Sequence, residues 1–148
     1  MDTICDMDDS SVFCSIVSNV TEDTPELGIS LEENDYTIFV PTDAAFALVA
    51  DTLKELSAAE VSRIIFFHFY EGSMLTYDEL NCGEKLVSLS NDGRIDDSRT
   101  KCNEDGKYQK GTGNREWPRI SSMDYMACTA VIHTIDHVMF PVYLSQFG

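Results

Sequence analysis

Three histidines, five cysteines and several adjacent carboxylates are the residues of this 148-residue chain whose types could do chemistry. A general base or a metal centre needs such groups to converge, with the imidazole free at one nitrogen. His68 instead falls on the apolar stripe of Val61, Ile64 and Ile65, and His133 lies inside the apolar run "AVIHTI". Both read as core histidines satisfied by backbone or side-chain partners, while His137 is less constrained. The pairs Asp8-Asp9, Glu32-Glu33 and Asp96-Asp97 could hold Ca²⁺ weakly at the surface. They lack the alternating ligands, glycine and terminal glutamate of an EF-hand loop. No G-x-S-x-G elbow and no HExxH occurs, and Gly106 and Gly111 have P-loop spacing but lead into Thr112 instead of Lys. "KGTGN" therefore reads as a turn. The expectation is no catalysis, no cofactor and no metal site.

The cysteines at 5, 14, 82, 102 and 128 contain no CxxC pair, which argues against zinc ribbons and thioredoxin-like redox motifs and favours disulfides. Asn19-Val20-Thr21 is a glycosylation sequon, in keeping with an oxidising, secreted setting. Cys82 and Cys102 flank a turn at Asn91-Asp92-Gly93, so a hairpin would bring their Cα atoms within the about 4.4–6.8 Å that a bridge needs. Cys5 can then reach Cys14 by folding back onto a first helix, leaving Cys128 as a buried thiol. The alternative is a Cys14–Cys128 bridge with Cys5 free for intermolecular pairing. Met1 leads into an acidic stretch with neither a basic n-region nor an apolar h-region, so no signal peptide is legible and the chain reads as a mature domain of a larger precursor.

Twenty-six acidic residues against ten basic ones give a net charge of −16, which repels nucleic-acid phosphate and anionic lipid. Seven of the ten cations lie between 94 and 119, giving either a basic loop on a solvated acidic surface or the two ends of a head-to-tail contact. The apolar content of 43% is globular, and no apolar run approaches the roughly 18 residues of a membrane helix. A single domain over residues 1–148 is expected.

These residues must be positioned by local structure. Val12, Phe13, Ile16, Val17 and Val20 have helical spacing, followed by an acidic connection over 21–35. In "YTIFVPTDAAF", β-branched and aromatic residues at 36–40 suit a half-buried strand. Pro41 stops it, and Thr42 and Asp43 can accept from the free N–H groups of a helix beginning there. Phe46, Val49, Ala50 and Leu53 continue as one apolar face. Ser57 and Glu60 form a capping box for a further helix. Short β-like pieces follow around Leu75, Leu80, Leu86–Leu89 and Gly93–Ile95. The stretch 103–119 reads as a long loop or hairpin, and "CTAVIHTIDHVMFP" as one or two buried strands. Phe39, Val40, Phe46, Val49, Ile64, Ile65, Val131, Ile132 and Ile135 are expected in one core. The class is α+β.

Three of these stretches, in this order and spacing, resemble a known family. "YTIFVPTDAAFALV" is similar to the first signature of fasciclin-type (FAS1) domains, "FFHFYEG" to their central segment, and "AVIHTIDHVMFP" to their second signature. The motif residues carried over are Thr42, Asp43, Phe46, His133 and Asp136. "CNEDGKYQKGTGN" resembles an elaboration of microalgal, notably diatom, members. Phe67 stands where the family often has Tyr, and Thr129-Ala130 replaces Asn-Gly, removing a glycine from an expected turn or bulge. The resemblance implies helices packed on a β-sandwich-like wedge, used extracellularly for adhesion without catalysis. Its partners would be a cell-surface or matrix protein or glycan, or a second copy. It also implies partner contact near the central histidine, His68, and in the Asp-containing segment holding Asp124, Tyr125 and Met126. Read from the residues alone, that segment could equally be a strand edge with Tyr125 and Met126 packed. The alternative function is a secreted binder of a small ligand, lipid or sugar in a pocket.

Overall fold

A computed structural model describes residues 2–23, 25–26, 33–89, 96–127 and 129–144. Helix α1 (Asp2–Asp6), absent from the sequence reading, precedes the expected first helix α2 (Ser11–Asp23). Cys5 and Cys14 are bridged, with Cα atoms 5.0 Å apart, and this ties the two helices together. Strand β1 (Tyr36–Pro41) ends at the proline as its chemistry requires. Thr42 then caps α3 (Asp43–Leu48), its hydroxyl accepting from the Ala45 N–H at 3.2 Å. Asp43 departs from expectation by capping a different helix. Its carboxylate accepts from the Val12 N–H at 2.9 Å and the Ser11 hydroxyl at 2.7 Å, satisfying the start of α2.

The apolar face read through Leu53 is split. Val49 leaves helical geometry at φ −120°, ψ 16°, separating α3 from α4 (Ala50–Glu55). Only Ala45 and Phe46 of this pair of helices are fully buried, so the packing that holds them lies in the first two turns. The capping box is present: Ser57 accepts from the Glu60 N–H at 3.1 Å, and Glu60 accepts from the Ser57 N–H at 3.0 Å. It starts α5 (Ala58–Phe67), which ends at His68.

Strands β2 (Phe69–Glu71), β6 (Ile120–Met126) and β7 (Ala130–Ile135) join β1 in a four-stranded sheet of order β2-β1-β7-β6. β1 and β7 run parallel, in register from Tyr36 opposite Ala130 to Pro41 opposite Ile135. A second, antiparallel sheet has the order β3 (Lys85–Val87), β4 (Asp97–Asn103), β5 (Gly106–Gly111). Leu75 and Leu80, expected near strands, lie outside them, and Leu80 is buried just after the 3-10 turn Tyr77–Glu79. Gly93–Ile95, the turn at 91–93 and Cys128 lie outside the described residues. The expected Cys82–Cys102 bridge is present, with a Cα separation of 5.6 Å.

β1 is buried along its whole length, where a half-buried strand was expected. The reason is that both faces of its sheet are covered. Tyr36, Ile38 and Val40 meet Phe13, Phe46, Ile64 and Ile65 on the helical side, while Phe39 joins Ile135, Ile120, Leu86 and Phe67 on the other. The single expected core is thus two clusters on opposite faces of the sheet. Val49 only packs at the border of the helical cluster, and Val131 is buried. This gives the α+β arrangement of helices on a two-sheet wedge.

The Ala127 N–H donates to the Ala130 carbonyl at 2.8 Å. "KGTGN" is the expected turn, and its Asn114 clamps the chain end. The Asn114 side chain accepts from the Gly111 and Phe140 N–H groups and donates to the Val138 carbonyl.

Candidate functional site

β6 reads ISSMDYM, and in a regular strand its side chains would alternate between the two faces. Its register with β7 shifts twice, between Ile120 and Ser122 and between Ser122 and Tyr125. Within the second irregularity Asp124 takes φ 61°, a left-handed conformation that Asp tolerates better than most residues. The alternation is broken there. Met123, Tyr125 and Met126 are all exposed, at 42%, 44% and 60%, on the last strand of the sheet. Tyr125 and Met126 are therefore not packed, contrary to the strand-edge alternative.

A part-buried polar network holds this bulge in place. The Asp124 N–H donates to His133 Nδ1 at 3.3 Å, and Asp124 Oδ1 accepts from the Tyr77 N–H at 2.8 Å. His133 Nε2 donates to the Leu75 carbonyl at 2.8 Å. Burial pushes the His133 pKa down, so the ring is the neutral Nε2–H tautomer. The 3.9 Å between Nδ1 and Asp124 Oδ1 is then no ion pair, because Nδ1 is unprotonated. Thr37 continues the network, donating to the Ser73 carbonyl and accepting from the Leu75 N–H. Lys107 links it to the second sheet: Nζ donates to the Tyr77 and Leu80 carbonyls and lies 4.9 Å from the Tyr77 ring.

The other sequence candidates are dispersed. His68 is completely buried and lies away from the surface. Its Nδ1 donates to the Ile64 carbonyl at 2.7 Å and its Nε2 accepts from the Met139 N–H at 2.9 Å. Desolvation lowers its pKa to about 4, against the opposing pull of the Ile64 carbonyl. The Val12 N–H, foremost, holds Asp43 below its ordinary pKa. Asp136 accepts from the Arg119 N–H and from His137, while His137 Nε2 reaches Glu116 at 2.9 Å. Phe46 sits in the helical cluster, and Asn19 is exposed on α2. Among the described residues no group of three or more His, Cys, Asp or Glu could hold a metal ion.

Both nitrogens of His68 and of His133 are occupied, which leaves neither ring a free position for proton transfer. Among the described residues Asp124 Oδ2 has no protein partner, and exposed apolar side chains surround it. A cleft of about 450 Å³ adjoins it, lined by Tyr77, Asp105, Arg119, Ile120, Ser121, Met123 and Asp136. Sequence reasoning missed Met123, Tyr77 and Lys107. The failure of period-two alternation in "SSMDYM" was the available signal for Met123, whereas the other two depend on long-range folding.

The profile described as the Fasciclin domain matches residues 12–141. A search of curated proteins finds no match. Among solved structures, a FAS1 domain pair from the insect cell adhesion molecule fasciclin I superimposes with a TM-score of 0.61 at 14% identity. That match covers 84% of this chain and 44% of the other, so the chain spans less than half of that solved pair. No helix among the described residues is long and apolar enough to cross a membrane. With its helix-covered two-sheet wedge and a profile match over most of its length, the chain belongs to the fasciclin domain family.

Proposed function

We propose that the chain is a non-catalytic, extracellular adhesion module that engages a cell-surface or matrix protein through the Met123–Met126 surface. The fasciclin family is associated with cell adhesion and interaction. The observation that carries the reading is the bulge itself, which turns three large apolar side chains outward around one carboxylate oxygen. Such a surface suits a partner that offers a basic side chain beside an apolar patch. Two disulfides and the exposed sequon at Asn19 support an oxidising, extracellular setting. His68 serves from beneath by fixing Met139, without touching the partner.

Attachment of protein-coated beads to matrix and to cells tests this. Asp124→Asn keeps an acceptor for the Tyr77 N–H and removes only the charge. It should weaken attachment at 0.15 M salt to about the level of the wild type at 0.5 M, where the Debye length falls to roughly 4 Å. Tyr125→Ala with Met126→Ala should abolish attachment while leaving the denaturation midpoint near that of the wild type. Attachment unchanged in both variants would sink the proposal.

A further inference from the structure

The outer face of the second sheet carries a charge pattern that the fold does not use. Lys85 lies directly opposite Arg99, and Arg99 directly opposite Lys110, so three cations form a row across three strands. Adjacent strands are about 4.7–4.9 Å apart, which makes this a ladder roughly 10 Å long. Like charges placed opposite each other destabilise a sheet. Lys101, two residues beyond Arg99 on the same face, adds a fourth cation. Among the described residues none of the four makes an ion pair, in a chain with 26 acidic residues. Arg99 is held by the Gly83 carbonyl at 2.6 Å, and Lys101 lies 5.8 Å from the Trp117 ring. Trp117, itself 40% exposed, packs against Tyr108 with ring centroids 5.6 Å apart. With Asp97, Gly111 and Thr112 the four cations line a cleft of about 290 Å³, in which Asp97 is the one carboxylate among the described lining residues.

We infer that this face binds an acidic polysaccharide, one bearing sulfate or carboxylate groups along its length. A ladder of cations roughly 10 Å long fits a repeating polyanion better than a single small anion, which could not span its whole length. The Trp117 and Tyr108 rings offer flat apolar surfaces on which the C–H face of a sugar ring can lie. The local charge governs binding despite the net −16, because at physiological ionic strength the Debye length of about 8 Å screens the distant carboxylates. The choice of a polysaccharide over a nucleic acid rests on the extracellular setting proposed above. The site itself does not, being on a different sheet from Met123–Met126.

Trp117 is the sole tryptophan, so intrinsic fluorescence reads this face directly. Titration with heparin as the probe should change the emission saturably, whereas uncharged dextran should not. Lys85→Gln with Lys110→Gln should weaken binding about tenfold, in line with the loss of two exposed charge contacts. That variant should melt no lower than the wild type, because it relieves like-charge pairing. Tyr125→Ala should bind heparin unchanged even if it no longer attaches to matrix. No emission change with heparin at low salt, or equal affinity in the double variant, would overturn the inference. So would tighter binding of single-stranded DNA, loss of heparin binding in Tyr125→Ala, or a cation row whose removal abolishes only self-association in sedimentation.

Discussion

Acid should destabilise this protein through His68, and the structure sets the size of the effect. The ring is fully buried with both nitrogens bonded, and its pKa falls from 6.5 to about 4. The folded state therefore resists the proton that the unfolded chain accepts, so between those two values the unfolded state binds more protons. Stability then rises with pH, is fully present above pH 6.5, and is lost as pH falls toward 4. At about 1.4 kcal/mol per pKa unit the ceiling is roughly 3 kcal/mol, of which about 2 kcal/mol is lost between pH 7 and pH 4.5. His133, also lowered, acts in the same direction. Asp43 loses its contribution only below its ordinary value of 3.8, outside the window. Relief of self-repulsion in a chain of net charge −16 works the other way. The assay is therefore a difference: urea melts of the wild type and His68→Gln from pH 7 to 4.5, with an NMR titration of the wild-type ring. The wild type should lose about 2 kcal/mol more than the variant. Parallel pH profiles, or a ring titrating near 6.5, would refute the reasoning.

Two further outcomes concern packing. Phe46, 3% exposed and beside Phe13, should cost about 3–5 kcal/mol when truncated to Ala, and a loss below about 1 kcal/mol in denaturant melts would remove it from the core. A Cβ at Gly113 would stand 2.3 Å from the Pro141 carbonyl oxygen and 2.9 Å from that of Phe140. Gly113→Ala should therefore cost about 1–3 kcal/mol, and an unchanged melting midpoint would show that the chain end shifts freely.

What was legible in the sequence was the chemistry of near neighbours. Pro41 ending a strand, Thr42 capping a helix and Ser57 with Glu60 as a capping box all depend on residues a few positions apart, and all are present. The Cys5–Cys14 and Cys82–Cys102 pairings were readable for the same reason, since each closes a short local excursion. Long-range partners were not legible. Nothing near Asp43 announces that it caps α2, some thirty positions back, and although alternation puts Phe39 and Val40 on opposite faces of β1, nothing in β1 says that both faces are covered by a core cluster. That requires β7 alongside and a second sheet beyond it. The candidate site was half visible: Asp124, Tyr125 and Met126 were singled out, but the outward turn of Met123 comes from a bulge fixed by His133 and Tyr77. Of the cation ladder only Arg99, Lys101 and Lys110 were seen, as part of a basic stretch, because strand register alone sets Lys85 and Lys110 on either side of Arg99.

Methionine oxidation tests the partner surface most directly. Met123 and Met126 are 42% and 60% exposed, whereas Met139 is completely buried and serves as an internal control. Free protein and protein attached to matrix-coated beads are pulsed with peroxide, and sulfoxide at each methionine is measured by peptide mass. The account predicts rapid oxidation of Met123 and Met126 in the free protein, protection of both on attachment, and no reaction at Met139 in either state. Equal oxidation of Met123 and Met126 in free and attached protein would contradict it.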